Sequence, residues 1–276
     1  MMQKTSFPFE VLIHDDASTD HTADIIREYE AKYPDIIKPV YQKENQYSKK
    51  VRINSKYNFS RAQGKYIALC EGDDYWIDPL KLQTQFDFME SHPDCSMCFH
   101  NVEEKQEVKN NTIHVRFTPG YKSGESILSN WSIPTCSTLF RKEVIEIDDR
   151  IRERDNRFMY SDIVLFLSAA SIGKVYGIDK KMAVYRRHAQ GATFRRPDNY
   201  FVRTYNHYLA LSDAFPDLKY VTEKCICKCM YHALVFRIIK LDIGESKRIF
   251  HILKSIRSLK AHVYGLLAAF CEITGI

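Results

Sequence analysis

The sequence predicts an α/β protein in which a mainly parallel sheet is flanked by helices. Short apolar runs rich in β-branched residues alternate with amphipathic segments over residues 9–100, and this alternation is typical of strand–helix–strand units. Acidic residues directly follow two of these runs. From residue 199 onward the apolar residues keep helical spacing, which predicts a helical C-terminal extension.

The first predicted strand is the apolar run Phe9–His14. The loop that follows it is rich in residues that cap helices, so a helix is expected over His21–Tyr33. Pro34 ends this helix because proline cannot continue one. The run Ile36–Tyr41 then predicts a second strand, which completes one strand–helix–strand unit.

A second unit follows a polar loop. A short helix is predicted over Lys56–Gln63 and ends at Gly64. The run Lys65–Cys70 predicts the third strand, Pro79–His92 a helix with an apolar inner face, and Cys95–His100 the fourth strand. Because helices connect the consecutive strands, we expect these strands to be parallel.

The second half of the chain is less regular. The run Ile133–Arg141 predicts a strand, and Tyr160–Ile172 predicts a helix with apolar residues on one side. Two further strands are predicted at Lys174–Ile178 and Met182–Tyr185. These elements complete the predicted α/β part of the chain.

A domain boundary is expected near Pro197, with the α/β domain over residues 1–197 and a basic helical extension over residues 198–276. Ten Lys/Arg and three Asp/Glu lie between Lys219 and His262, whereas the whole chain has a net charge of +5. Basic helices of this kind can contact an anionic membrane surface, or they can simply present a solvated face. Both interpretations stay open.

The composition excludes disordered, fibrous and membrane-spanning proteins. The chain has 276 residues, of which 45% are hydrophobic and 27% charged, values typical of globular proteins. No run reaches the roughly 18 apolar residues of a membrane-spanning helix, and the first ten residues lack the apolar segment of a signal peptide. We therefore expect a cytoplasmic protein with reduced cysteines, whose C-terminal helices could add peripheral contact at the inner face of the membrane.

An acidic cluster, Glu71-Gly72-Asp73-Asp74, follows the third predicted strand. Carboxylate oxygens are the ligands that Mg²⁺ and Mn²⁺ prefer, usually one or two from the protein with the rest from phosphates and water. Two acids separated by one residue can reach one ion, which would help a diphosphate to leave. The alternative is an ordinary acidic turn.

A second acidic pair, Asp15-Asp16, follows the first predicted strand. A carboxylate in this position can recognise a nucleotide base or ribose, whereas Ser18 or Thr19 would account for the loop as a helix cap. Ligands bind beyond the carboxyl ends of parallel strands. The two acidic clusters together therefore favour a nucleotide-binding unit.

Four segments carry a resemblance to a known family. They are FEVLIHDDASTDHT (Phe9–Thr22), AQGKYIALCEGDDYW (Ala62–Trp76), the pair Ser161-Asp162 within YSDIVLFL, and YRRH (Tyr185–His188). In this order the sequence resembles the family 2 glycosyltransferases of the GT-A fold, which has a Rossmann-like sheet. The resemblance covers about residues 9–195.

The resemblance implies a role for each acid in donor binding. Asp16, with Asp15 beside it, matches the acid that binds the base and ribose. Glu71 and Asp73 match the acid pair that holds Mn²⁺ or Mg²⁺, with Glu in place of the first Asp. Asp74 would hydrogen-bond the donor or support the metal.

The resemblance also implies a base, a further metal contact and a reaction. Asp162 matches the catalytic base, and its predicted place in a first helical turn favours the ionised form. His188 matches a residue that approaches the metal and diphosphate. The implied reaction is inverting transfer from a nucleotide sugar, most often a UDP-sugar, to a glycan or lipid-linked acceptor in cell-surface polysaccharide synthesis, with no nucleic acid partner. Taken alone, Asp162 could be a helix cap and His188 a surface histidine.

The aromatic pair Tyr75 and Trp76 follows the acidic cluster. Both residues are expected to line the donor-sugar pocket, and the alternative is that they only pack.

The chain departs from the family pattern at its start. Family members have a strand and a helix ahead of the segment matched by Phe9, whereas eight residues, MMQKTSFP, precede it here. Either the start is truncated or misassigned, or the first unit is absent, which would remove a central strand and leave part of the nucleotide wall open. Two further hypotheses remain: a non-catalytic glycosyltransferase-like binding module, and a nucleotidyltransferase that uses the same sheet and metal.

Overall fold

The computed structural model describes residues 1–49, 51–107, 111–115, 118–130, 133–189, 191 and 199–239. The strands in these ranges are β1 (Val11–Asp15), β2 (Ile37–Tyr41), β3 (Tyr66–Ala68), β4 (Tyr75–Trp76), β5 (Cys95–Gln106), β6 (Asn111–Val115), β7 (Gly120–Lys122), β8 (Leu139–Arg141) and β9 (Lys174–Arg187). The helices are α1 (Thr22–Lys32), α2 (Lys81–Ser91), α3 (Gly124–Asn130), α4 (Glu143–Arg154), α5 (Ser161–Ile172), α6 (Tyr200–Ala214) and α7 (Lys219–Ile239).

The strands form a mixed arrangement flanked by helices, which confirms the predicted α/β class. Strands β1 and β2 pair in parallel as a two-stranded sheet. The larger sheet has the order β3-β8-β5-β9-β4, with β6 beside β5 and β7 beside β9. Within it the long pair β5–β9 is parallel, and the shorter pairs are antiparallel.

In the described ranges the sheet is interrupted between β1 and β3. In the described ranges, β1 pairs with β2 and β3 pairs with β8, and no ladder joins the two sheets. Side chains make the contacts across this point. The Arg61 guanidinium donates to the Ile13 carbonyl at 3.2 Å, and the Gln63 amide donates to Glu10 Oε1 at 2.7 Å.

The core of the larger sheet lies under α2. Strand β5 is buried from Cys95 to Val102, because both of its faces are covered. Phe7, from the start of the chain, stacks on Phe86 of α2 with ring centroids 4.2 Å apart. One apolar cluster joins α2, β5 and β8, and its buried members are Leu82, Met89, Cys95, Cys98 and Leu139.

Three predicted elements differ from those observed. The helix predicted over residues 56–63 is a π-helical turn, Asn54–Asn58, followed by a 3₁₀ turn. The strand predicted over residues 133–141 is confined to β8. The Ser137 and Thr138 hydroxyls donate to backbone carbonyls three residues earlier, and such local bonds compete with strand pairing. The two strands predicted over residues 174–185 are one strand, β9.

The chain divides into two compact units. The first comprises residues 1–122, 133–150 and 168–188, and the second comprises residues 123–132, 151–167 and 189–276. Helices α6 and α7 therefore lie in the second unit together with two earlier segments of the chain. The boundary between residues 197 and 198 stays a prediction.

Helix α7 buries apolar residues at helical spacing, including Ile226 and Met230 of the predicted face. Val221, Ile226 and Met230 are buried, whereas Lys224 and Lys228 are exposed. The helical spacing predicted for residues 249–259 lies outside the described residues. Among the described helices, none combines the length and apolar character that crossing a membrane requires.

Candidate functional site

The acidic cluster forms a turn between β3 and β4, and the end of β9 contacts it. The Asp74 amide donates to the Glu71 carbonyl at 3.1 Å, which closes the turn. His188 Nε2 lies 3.0 Å from Asp73 Oδ2, although the two residues are 115 positions apart. The side chains of Asp73 and His188 are 43% and 25% exposed. Two of the predicted metal ligands are therefore together and accessible to a ligand.

Asp74 has a different environment from Asp73. It is buried, and its Oδ1 accepts the Arg186 amide at 2.8 Å. Its Oδ2 is also buried, and the Cys136 thiol hydrogen-bonds the carboxylate. Burial raises the pKa of this carboxyl, opposed mainly by the Arg186 hydrogen bond. Asp74 thus anchors the turn to β9 from the interior.

Arg186 connects the acidic turn to Glu107, a contact that the sequence does not predict. Its guanidinium donates to the Asp73 carbonyl at 3.3 Å and pairs with Glu107 Oε1 at 2.6 Å. The hydrogen bond from Arg186 holds the pKa of Glu107 below its usual range. Arg186 was within the YRRH motif, whereas Glu107 had no signal in the sequence.

The two acids at the end of β1 differ in their partners. Asp15 is buried, and its Oδ1 has no hydrogen-bond partner among the described residues. The Asp16 carboxylate accepts the Gln46 amide at 2.7 Å and the Tyr47 amide at 2.9 Å. Asp16 therefore shapes the loop that follows β2. A carboxylate accepts about four hydrogen bonds, so nucleotide binding by Asp16 stays a prediction.

An aromatic stack lies beside these acids. The rings of His14 and Tyr57 are stacked with centroids 4.7 Å apart at an angle of 19°. Burial lowers the pKa of His14 despite the neighbouring carboxylates Asp15 and Asp16, which favours the neutral imidazole. The fold brings Tyr57 to His14, which are 43 positions apart in the sequence. The sequence did not predict a contact or a functional role for either residue.

Asp162 lies in the second unit, in the first turn of α5 as predicted. Its Oδ1 accepts the amide of its neighbour Ile163 at 2.9 Å, which is a helix-capping contact. The same unit places the Tyr160 and Tyr200 hydroxyls 3.1 Å apart. The helix position is confirmed, and the role of Asp162 as a base stays a prediction.

The residues of the acidic turn fit a hard divalent cation that is shared with phosphate. Across the described ranges, no three His, Cys, Asp or Glu side chains already converge as a metal cage. A cation bound mainly by phosphates and water needs one or two protein carboxylates. Asp73 with His188 supplies such a set, and Glu71 is exposed on the same turn.

Relatives share part of the chain. The uncharacterized protein Rv1520 of Mycobacterium tuberculosis is 39% identical over 197 residues, which is 68% of this chain and 53% of that protein. The chain thus spans about half the length of this relative. The Escherichia coli UDP-Glc:alpha-D-GlcNAc-diphosphoundecaprenol beta-1,3-glucosyltransferase WfaP is 34% identical over 90 residues, a third of each chain.

A solved structure supports the fold, and a family profile identifies the family. The crystal structure of S. aureus TarS 1–349 with UDP-GlcNAc matches with a TM-score of 0.62 and 15% identity, over 91% of this chain and 73% of that one. The GT-A fold is therefore confirmed. The profile described as glycosyl transferase family 2 matches residues 2–149, and the chain belongs to that family.

Proposed function

We propose that this protein is a metal-dependent glycosyltransferase of cell-surface polysaccharide synthesis, which transfers a sugar with inversion from a nucleotide sugar to a glycan or lipid-linked hydroxyl. The contact between His188 and Asp73 carries this proposal. It joins the acidic turn to the YRRH motif, and both segments match the family's donor site. A chance acidic turn would not need a histidine from 115 positions away.

The donor would lie against the acidic turn of the first unit. Glu71, Asp73 and His188 would hold Mn²⁺ or Mg²⁺, which supplies charge neutralisation for the departing diphosphate. Asp74, which the resemblance matches to a donor contact, would hydrogen-bond the donor or support the metal. Asp15 and Asp16 would contact the base and ribose.

Asp162 would take the proton of the acceptor hydroxyl. A hydroxyl is a poor nucleophile until a base accepts its proton in the transition state. The Asp162 carboxylate lies in the first turn of α5, and the resemblance matches Asp162 to the family's base. Attack from the face opposite the leaving group gives inversion at the anomeric carbon.

Two relatives support the choice of donor and acceptor. TarS was crystallised with UDP-GlcNAc, and WfaP is named for UDP-Glc and a diphosphoundecaprenol-linked sugar. We propose a UDP-sugar donor and a lipid-linked or glycan acceptor on this basis. A cytoplasmic protein whose basic C-terminal helices touch the inner membrane face would meet such an acceptor. Sedimentation with anionic and neutral vesicles measures that contact.

The test of this function is a donor assay with product analysis. The chain is incubated with UDP- and GDP-sugars, Mn²⁺ and a lipid-linked acceptor, and release of the nucleoside diphosphate is followed. We expect UDP release, an inverted anomeric centre, and a rate reduced about 10²–10⁴-fold in Asp162→Asn with unchanged UDP binding. Turnover retained in Asp162→Asn would exclude this residue as the base. Pyrophosphate release from a nucleoside triphosphate would instead indicate a nucleotidyltransferase.

A non-catalytic binding module is the second candidate. The interrupted sheet between β1 and β3 and the use of Asp16 by its own loop favour it. This candidate predicts UDP binding without sugar transfer to any acceptor. The same assay separates the two functions.

A further inference from the structure

Lys81, the first residue of α2, is fully buried. Its relative exposure is 0%, and it takes part in no salt bridge within the described part of the chain. Burying an ammonium group without a carboxylate is costly. A buried ammonium in this position therefore needs other groups that stabilise its positive charge.

The partners of Lys81 are an aromatic ring and an amide. Its Nζ lies 4.1 Å from the centroid of the Trp76 ring and donates to Gln85 Oε1 at 2.7 Å. Gln85 is itself buried and donates to the Ser137 carbonyl at 2.9 Å. A cation held over the face of tryptophan is attracted by the ring, and the attraction grows when water is excluded.

Trp76 is tied to the acidic turn through the chain and through β9. It lies in β4, two residues after Asp74, and β4 pairs with β9 at Ala183 and Val184. Its Nε1 donates to the Cys136 carbonyl at 2.9 Å. Since Arg186 of β9 also holds Asp74, the position of Trp76 fixes one end of the turn.

The other titratable groups near Lys81 do not change charge in the range where lysine does. Burial lowers the pKa of Lys81 to about 8. Burial raises the pKa values of the Cys70 and Cys98 thiols to about 12, and that of Cys136 further. Burial lowers the pKa of His100 to about 3. Between pH 7 and pH 9, Lys81 is the member of this group that loses its proton.

We propose that Lys81 is a positioning residue for the donor site: its ammonium holds the Trp76 indole from the protein interior and thereby fixes the turn that carries Glu71, Asp73 and Asp74. This inference rests on the proposed function of that turn. Lys81 touches neither donor nor cation and acts through Trp76.

The first test follows the fluorescence of Trp76. The chain has two tryptophans, so Trp131→Phe leaves Trp76 as the sole emitter. We expect its emission to change with a midpoint near pH 8 as the ammonium beneath the ring loses its charge. The change should be absent in Lys81→Met and, between pH 7 and pH 9, in Lys81→Arg. A midpoint retained in Lys81→Met would overturn the proposal. This titration needs no substitution at Lys81 in the parent, so it stays decisive if Lys81→Met fails to fold.

The second test measures binding of UDP in the presence of Mn²⁺. We expect Lys81→Met to raise the Kd about tenfold with an unchanged or higher melting temperature. Lys81→Arg, which keeps its charge, should bind more tightly at pH 9 than the parent chain does at that pH. The matched control is Lys174→Met, which removes an exposed lysine lying 5.1 Å over the Tyr121 ring. An unchanged Kd in Lys81→Met contradicts this inference alone. A parent chain that binds no Mn²⁺–UDP contradicts both this inference and the proposed function.

Discussion

The first unit has two acidic clusters at strand ends, which are held in different ways: the local end, at Asp16 after β1, and the long-range end, at Asp73 and Asp74 between β3 and β4. Asp16 is fixed by amides 30 and 31 positions along the chain, beside a two-stranded sheet. The turn with Asp73 and Asp74 is fixed by β9, from 112 and 115 positions away. The first end is organised by a local loop. The second exists only when the larger sheet has formed, so substitutions should affect the two ends separately.

The largest effect is expected at the long-range end. Asp73→Asn removes the carboxylate that contacts His188 and leaves the turn otherwise intact. We expect the Mn²⁺-dependent stabilisation by UDP to disappear and transfer to fall about 10³-fold, because the cation loses a charged ligand. Thermal shift with and without Mn²⁺ measures this. Asp87→Asn, an exposed acid on α2, is the matched control, and an equal loss there would contradict the assignment.

An intermediate effect is expected where Arg186 meets Glu107. Glu107→Gln removes the charge that pairs with the guanidinium, so Arg186 should hold the Asp73 carbonyl less firmly. We expect Mn²⁺–UDP binding to weaken about threefold to tenfold, with little loss of stability, since exposed ion pairs contribute about 0–1 kcal/mol. Titration calorimetry measures the affinity. Glu104→Gln, which alters the neighbouring pair with Arg187, should leave it unchanged.

The smallest effect on metal binding is expected at the local end. In the parent chain two backbone amides donate to the two oxygens of the Asp16 carboxylate. Asp16→Asn replaces one of these oxygens with an N–H₂ group, which cannot accept, so one backbone amide loses its partner. We expect a loss of about 1–2 kcal/mol in the free energy of unfolding, and an unchanged Mn²⁺ affinity. Urea unfolding measures the stability, and Asp35→Asn, which changes an exposed acid in the same unit, is the control. A loss of Mn²⁺ binding in Asp16→Asn would contradict the expectation that the two acidic clusters respond to substitution separately.

The difference between these ends also explains what the sequence could predict. Asp15 and Glu71 directly follow apolar runs, so their positions at strand ends were visible in the local pattern. The contact of His188 with Asp73 came from the family resemblance, since no local rule joins residues 115 positions apart. No local pattern in the sequence distinguishes Glu107 or Lys81 from other charged residues. Burial of Lys81 depends on Trp76 and Gln85, and such tertiary packing leaves no periodic signal.

The strand predictions illustrate the same limit. Residues 179–181 break the apolar run with charged side chains, which is why two strands were predicted where β9 is continuous. The register of β9 against β5 shifts at this point, between His100 and Val102. The irregularity lets the polar stretch stay within the ladder, and Asn101 bonds Asp179 across it at 2.8 Å. Pairing with β5 therefore overrides the local composition.

The interrupted sheet has a consequence for how the protein behaves in concentrated solution. An open strand edge is a template for pairing with another chain, and natural proteins protect such edges with charged side chains. Arg61 donates to the Ile13 carbonyl on β1, and the apolar residues of β1 before Asp15 are only partly covered. Arg61 thus places a charge beside β1, and charge is one of the features that discourage pairing of a strand edge with another chain.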